Sequence, residues 1–404
     1  MLAVSVPPVG HETHDWVAEN DGMTSRASMA AASGAYQSTV TPTIADLTLA
    51  LPADLAGDVE EAAAALSRFD SYARSTLGAD SPTLGPMSSI LLRTESTSSS
   101  QIENLTVGAR QLALAEIGQS TSENAKTVVG NVRAMEAALA LSDRLDGDAI
   151  RAMQAEMISR QHGWESHAGR YRDGLVWVGT SAVTPRGASH VAPQPELVPA
   201  AMDDLVRFLR RDDLPVLVQA AIAHAQFETI HPFSDGNGRT GRALVHALLR
   251  AKRLVVNTTA PVSAGLLKNT DAYFDALSAY RRGDARPIIE RFADASRFAA
   301  NSGAHLVDDL AAQVEDGRKR LTGELRPQAV GWRVLPYLVA HPVLNAALVK
   351  ERLGVNDATA QRALAQLTAA GVLEERTGMA RNRVWQHPGI LRILDVYAQA
   401  LRRR

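Results

Sequence analysis

Apolar residues recur at steps of three and four along most of this chain. In "LPADLAGDVEEAAAALSRFDSYARS", residues Leu55, Val59, Ala63, Leu66 and Phe69 make one stripe, the spacing of an amphipathic helix. "GADSPTLGP" at 78–86 breaks that pattern with glycine and proline. Further helical spacing predicts helices near 86–117, 122–144 and 147–161. It resumes in "ELVPAAMDDLVRFLRR" and "LPVLVQAAIAHAQFETI", then runs to about Lys252 and over 270–281, 286–303 and 305–321. One stretch departs from it. "LVWVGTSAVTPRGASHVAPQP" sets β-branched and aromatic residues on both sides of Thr-Pro-Arg-Gly, which predicts a hairpin over about 175–192.

The two ends read differently. Residues 1–43 are rich in Ser, Thr, Ala, Gly and Pro with weak periodicity, and predict a mobile arm. "GELRP" at 323–327 reads as a linker. Beyond it come three helical runs, two short strand-like runs around a glycine-containing turn in "LEERTGMARNRVWQHP", and a last helix ending in "LRRR". Helix-turn-helix plus a β-wing is the simplest reading. The expected organisation is an arm (1–43), an N-terminal helical region (44–120), a catalytic domain (121–322) and a C-terminal unit (326–404).

Composition narrows the options. At 404 residues the chain is too long for one ordinary core. Aromatic residues make up 5%, so the core must rest on Ala, Leu and Val. The absence of cysteine excludes disulfides and thiolate chemistry. The N-terminus lacks a basic stretch followed by an apolar run, and no apolar segment is long enough for a bilayer. The expectation is a cytoplasmic protein without membrane partners.

The densest chemistry lies in "HPFSDGNGRTGR", residues 231–242, between two alanine-rich helical segments. If a helix starts there, its first N–H groups lack internal partners and form an anion site. Gly236 and Gly238 allow close approach of a ligand. Arg239 and Arg242, three apart, add donors for phosphate oxygens. Asp235 is a hard oxygen ligand suited to Mg²⁺. His231 titrates near neutrality and can take a proton from a hydroxyl. Together these make a phosphoryl- or nucleotidyl-transfer site. His224, seven residues earlier, reads as a core histidine.

The stretch resembles the motif of the Fic family: His, any residue, Phe, any, Asp or Glu, Gly, Asn, Gly, Arg, any two, Arg. His231, Phe233, Asp235, Gly236, Asn237, Gly238, Arg239 and Arg242 fill every fixed position. The resemblance implies a mainly α fold: a Fic-type helical core with a β-hairpin flap, here followed by a winged helix-turn-helix domain. It implies transfer of AMP from ATP to a Tyr, Thr or Ser hydroxyl of a target protein. His231 would be the base, Asp235 the Mg²⁺ ligand, and Gly236, Asn237 and Gly238 the anion hole. Arg239 and Arg242 would grip the outer phosphates, and Phe233 would anchor the loop. The 175–192 hairpin matches the family's flap, which holds the target's backbone by strand addition; "GRYRDG" before it resembles the lead-in to that flap.

A second stretch, "SSSQIENL" at 98–105, reads alone as a serine N-cap at Ser99 with Glu103 in the first turn of a helix. It also resembles the family's inhibitory pattern: Ser or Thr, any three, Glu, then Gly or Asn. Ser99, Glu103 and Asn104 match. This implies a brake in which Glu103 pairs with Arg242 and denies it to the γ-phosphate, within one chain or across a homodimer.

Residues 326–404 carry twelve Lys and Arg against five Asp and Glu, which suggests a polyanion-facing surface. Thr359, Gln361 and Arg362 would begin a recognition helix, and Arg381 and Arg383 would lie on the wing. DNA and protein both stand as partners for this unit. The rivals to AMP transfer are a DNA-binding regulator that senses nucleotide at the Fic site, removal of AMP, and transfer of another phosphate-containing group.

Overall fold

The computed structural model describes residues 2–18, 25–77, 82–159, 161, 163–376 and 383–401. The chain opens with β1 (Gly10–Trp16), α1 (Arg26–Ala32) and β2 (Gly34–Val40). Four helices follow: α2 (Ala53–Leu77), α3 (Leu84–Ile102), α4 (Ala109–Glu116) and α5 (Glu123–Ala140). Next come α6 (Gly147–Ile158), β3 (Trp177–Val178), β4 (His190–Val191), α7 (Val198–Leu209), α8 (Val216–Ile230) and α9 (Asn237–Ala251). Then α10 (Val262–Leu267), α11 (Thr270–Arg281) and α12 (Arg286–Leu321) lead to the C-terminal elements. These are α13 (Val330–Ala340), β5 (Val343–Leu344), α14 (Ala346–Leu353), α15 (Asp357–Ala369), β6 (Glu374–Glu375), β7 (Trp385–Gln386) and α16 (Pro388–Leu401). The fold is mainly α, as expected. No helix among the described residues is long and apolar enough to cross a membrane.

The chain divides into two compact units. The first comprises Met1–Glu61, Ala134–Lys252 and Thr270–Ala293. Its centre is α8, buried from Leu217 to Ile230 on every side, which is why that helix shows no polar stripe. α7, α9 and α11 pack on it, and α6 packs on α7 and α9. Its buried Gln226 is satisfied at both ends: it donates to Pro42 O (2.8 Å) and accepts from the Tyr280 hydroxyl (2.9 Å).

In place of a mobile arm, the N-terminus is structured. β1 and β2 pair antiparallel from Gly10↔Val40 to Trp16↔Gly34. Val4 and Val6 are buried, and Asp284 accepts the Val4 N–H at 3.1 Å. β2 alternates in exposure over Gly34–Gln37, but β1 is exposed from Gly10 to Thr13, so the pair carries little of the apolar alternation that marks a strand.

The second unit comprises Ala62–Arg133, Arg253–Asn269 and Asp294–Arg404. α3 packs on α10 and α13, and α4 packs on β5 and α16. Residues 326–404 therefore share a unit with 62–133 instead of standing apart behind the 323–327 turn. Ala113 of α4 joins Val343, Val384 and Leu391 in one apolar cluster. Asp395 of α16 accepts the Ala109 N–H (3.1 Å) at the start of α4, where Gly108 has no capping side chain. β5, β7 and β6 form an antiparallel three-stranded sheet in that order.

Two helix boundaries differ from expectation. Residues 286–321 form one helix of 36 residues, not two. Gly303 does not break it, because a Cβ there would sit 2.8 Å from the Phe69 ring: the glycine is needed for packing, not for a turn. The 86–117 run is instead cut between α3 and α4, at 103–108. In the α2 stripe Ala62, not Ala63, is the fully buried alanine.

Candidate active site

α8 ends because His231 takes the left-handed conformation (φ 51°, ψ 61°), its N–H bonding Phe227 O at 2.8 Å. That conformation is uncommon outside glycine and must be held by its surroundings. Arg172 holds it. The buried guanidinium donates to His231 O (2.8 Å), Gly174 O (2.9 Å) and Pro193 O (2.6 Å), tying the histidine to both ends of the flap segment. Burial brings Arg172 down to about 10. The His231 side chain is half-buried, with Nδ1 3.8 Å from a Glu228 carboxylate oxygen. His190 lies alongside, ring centroids 6.5 Å apart. It is bonded to Thr229 O (2.9 Å) and pushed down to about 2 by burial first and then by Arg281 and His231.

The loop after His231 is fixed from inside. Phe233 is fully buried against Tyr171 and Phe227, at 5.7 and 6.3 Å between centroids. Asn237 accepts the Phe233 N–H and donates to the Phe233 carbonyl, both at 2.8 Å. Asparagine is needed because one side chain must both accept and donate across this short loop. Gly236 has φ 80°, and a Cβ there would meet Met157 Cε at 2.5 Å. Gln154 accepts the Gly169 N–H (2.7 Å) and donates to Asp235 O (3.3 Å), bracing the loop from α6.

α9 then starts at Asn237, with Gly236 as an N-cap that supplies no side-chain acceptor. Its first turn, Asn237–Gly238–Arg239, is thus a donor-rich helix start. Arg239 is buried and pairs with Asp235 at 3.2 Å. Arg242, also buried, follows three residues later. Asp235 keeps 37% of its side chain exposed. Among the described residues no group of three or more His, Cys, Asp or Glu could hold a metal. A lone accessible carboxylate fits Mg²⁺, which takes one or two protein carboxylates and fills its octahedron with phosphate oxygens and water.

Beyond His231 lies the hairpin expected at 175–192. β3 and β4 pair through Trp177↔Val191 and Val178↔His190. The N-terminal hairpin latches onto its turn. Trp16 Nε1 donates to Val183 O (2.9 Å), Thr184 Oγ1 to Ala32 O (2.7 Å), and Arg186 to Ala31 O and Ser33 O (2.8 and 2.6 Å). The Trp16 and Trp177 rings meet edge-on at 5.2 Å.

Within the second unit, "SSSQIENL" closes a helix and does not open one. Thr94, Ser98 and Ser100 hydroxyls bond carbonyls four residues back (each 2.9 Å), which satisfies these buried hydroxyls inside the helix. Ser99 is fully buried in the last turn. Glu103 is the C-cap, and Asn104 follows at φ 63°. This explains the Gly-or-Asn position of the pattern: the residue after the cap must turn left-handed, which those two tolerate best.

The structure thus gathers His231, Phe233, Asp235, Gly236, Asn237, Gly238, Arg239 and Arg242 on one loop and helix start of the first unit. Ser99, Glu103 and Asn104 sit on one helix end of the second. His224 bonds Tyr273 OH (2.7 Å) and is lowered to about 3 by burial and then Arg242, as befits a core residue. Arg172, Gln154 and Glu228 were missed. For Glu228 the only signal was its i, i+3 spacing to His231. For Arg172 it was a lone arginine in "GRYRDG".

Comparison with known proteins follows the same division. Residues 144–249 match the Fic/DOC family model, and residues 57–140 match the Fic/DOC family N-terminal model. The chain is 29% identical over 174 residues to "Protein adenylyltransferase Fic" of Nematostella vectensis, covering 42% of this chain and 35% of that protein. It is 32% identical over 127 residues to "Probable protein adenylyltransferase aq_aa38" of Aquifex aeolicus, covering 30% and 36%. It therefore spans about a third of the length of these relatives. A crystal structure of a Fic family protein from Desulfovibrio desulfuricans G20 superposes with a TM-score of 0.52 at 22% identity, covering 84% of this chain and 97% of that one. That likeness concerns the fold.

Proposed function

We propose that this chain, which carries a Fic/DOC family domain at residues 144–249 behind that family's N-terminal region at 57–140, is a protein adenylyltransferase. It transfers AMP from ATP to a Tyr, Thr or Ser hydroxyl of a target protein. The observation that carries this reading is the left-handed His231, held by Arg172 immediately before an uncapped helix start that bears two buried arginines. His231 takes the hydroxyl proton as that oxygen attacks the α-phosphorus, and pyrophosphate leaves. The amides at Gly236–Gly238 hold the developing charge, and Arg239 and Arg242 hold the outer phosphates. Mg²⁺, when bound with the nucleotide at Asp235, supplies further charge neutralisation on the phosphate chain.

Glu103 acts as a brake by competing with the γ-phosphate for Arg242. Support comes from the complete inhibitory pattern and from Asn104, whose left-handed turn fixes Glu103 at the helix end. Intact-mass measurement after incubation of the Glu103→Gly chain with ATP and Mg²⁺ tests both. The expected result is a gain of one AMP, absent in Glu103→Gly/His231→Ala. An ATP-bound but unmodified chain that also modifies no added protein would favour the nucleotide-sensor reading.

The C-terminal unit reads as a winged helix that contacts protein. Its element order and the β5-β7-β6 sheet support the winged reading. Arg383 is paired with Glu375 and laid over Trp385 at 4.7 Å, so its charge is offset and not offered to phosphate. Asp357 stands in the first turn of α15, where a base-reading helix would repel DNA. Arg381 lies outside the described residues. A gel shift at low salt would reverse this preference.

A further inference from the structure

The hairpin, the flap and α11, all in the first unit, border a cavity of about 980 Å³. Arg186, Arg281, Arg282, His11 and His190 line it, and no Asp or Glu does among the described residues. In a chain with 44 acidic against 42 basic side chains, a wall with three arginines and no carboxylate is locally positive, although Glu228 acts on Arg281 from behind it and Arg186 is engaged with Ala31 O and Ser33 O. Part of it is unmet. The buried Nε of Arg281 has no hydrogen-bond partner, and its Nη2 makes one long bond, 3.4 Å, to Glu228 O. Arg282 is exposed. A desolvated donor such as Arg281 Nε is costly unless an acceptor completes it, and the exposed Arg282 beside it favours an anionic one.

The cavity also has a place relative to the chemistry. His190 forms part of its wall, and the His190 ring lies 6.5 Å from that of His231. An anionic group seated by Arg281 and Arg282 would therefore belong to a molecule that also reaches the base. The volume suits a short chain segment more than a single ion, and the base acts on a protein hydroxyl.

We propose that this cavity docks an acidic segment of the target protein, with Asp or Glu side chains flanking the modified hydroxyl and engaging Arg281 and Arg282. The proposal rests on the protein adenylyltransferase reading. It assigns the structured N-terminal hairpin a role as the outer wall of a target-docking site, latched to the flap through Trp16, Thr184 and Arg186.

The test uses the full-length chain and two fluorescein-labelled peptides: one threonine flanked by glutamates, and its lysine-for-glutamate counterpart. Fluorescence anisotropy without nucleotide should show the glutamate peptide binding about tenfold tighter, with affinity falling as salt rises. Arg282→Glu should weaken it roughly fivefold and improve the lysine peptide. Arg281→Met provides a second, buried variant with the same expected loss, and thermal melts check that both fold. Equal binding of the two peptides, no binding of either, or an unchanged preference in Arg282→Glu would overturn the proposal. So would a single-stranded oligonucleotide that binds tighter than the glutamate peptide and loses that binding in Arg282→Glu. The two readings separate cleanly. Charge-selective binding without AMP gain by mass would keep the docking site and sink the transfer. AMP gain with charge-blind binding would do the reverse.

Discussion

The helix start at Asn237 and the helix end at Glu103 are built with the same device and put to different uses. Each is a chain reversal set by left-handed residues: His231 and Gly236 before α9, Asn104 after α3. At the helix start the motif's residues complete one another. Asn237 closes on Phe233, Arg239 on Asp235, and Arg172 on His231. At the helix end the serines bond within the helix itself, and Glu103 stands alone at the C-cap. A site whose residues satisfy one another carries its chemistry in the local sequence. A site that presents a single charge acquires its meaning from what that charge meets.

The largest expected effect separates these two roles. If Glu103 withholds Arg242 from the γ-phosphate as proposed, losing an ion pair worth a few kcal/mol means that Glu103→Gly should raise AMP incorporation from labelled ATP by about 10²- to 10³-fold. Equal rates in the two proteins would reduce Glu103 to a helix cap and break the comparison. Next, Asn237→Ala removes both bonds to Phe233 and leaves its buried N–H and C=O unmet. A stability loss of about 2–4 kcal/mol is expected by urea unfolding, with AMP transfer falling alongside. Asn237→Asp keeps the acceptor only and should fall between.

The same contrast explains what could be read without coordinates. Eight residues in twelve positions announced the helix start, because glycine, asparagine and arginine there answer a local geometric demand. "SSSQIENL" matched its pattern, yet its direction was misread: serine caps helix starts, and only the i−4 hydroxyl bonds show it inside one. The supports of His231 were invisible because they come from afar. Arg172 lies 59 residues and Gln154 lies 81 residues from the backbone groups they hold. The N-terminal hairpin was hidden for a related reason. Its strands are stabilised by the flap and by α7, α8 and α11, not by a strong local signal. Gly303 shows the converse error, since a local breaker was neutralised by a distant ring.

A smaller effect concerns acid. His224 and His190 fall from 6.5 to about 3 and about 2 on folding. Above pH 6.5 both states are neutral and nothing is lost. Below it the unfolded chain binds protons that the folded core refuses, so stability falls as pH falls. Each histidine should contribute a loss of about 2 kcal/mol at pH 5. A urea series from pH 7 to pH 5 measures the slope, to which His341 and His387, lowered by burial to about 3 and about 4, add in the same direction, so His224→Gln should flatten it by about a quarter. An unchanged slope would mean that this helix face opens to solvent.

The smallest effect addresses the turn alone. Asn104 at φ 63° is tolerable for asparagine and free for glycine, but costs an alanine about 1 kcal/mol. Asn104→Gly should leave the basal rate of AMP incorporation unchanged. Asn104→Ala should loosen the turn that fixes Glu103 and raise that rate by about threefold to fivefold, with the melting temperature barely moved. Both rates come from the assay used for Glu103→Gly, which sets the ceiling. If alanine and glycine behave alike, the Gly-or-Asn position is not read through backbone conformation. The restraint on Glu103 would then come from the packing of the buried Ser99 turn instead.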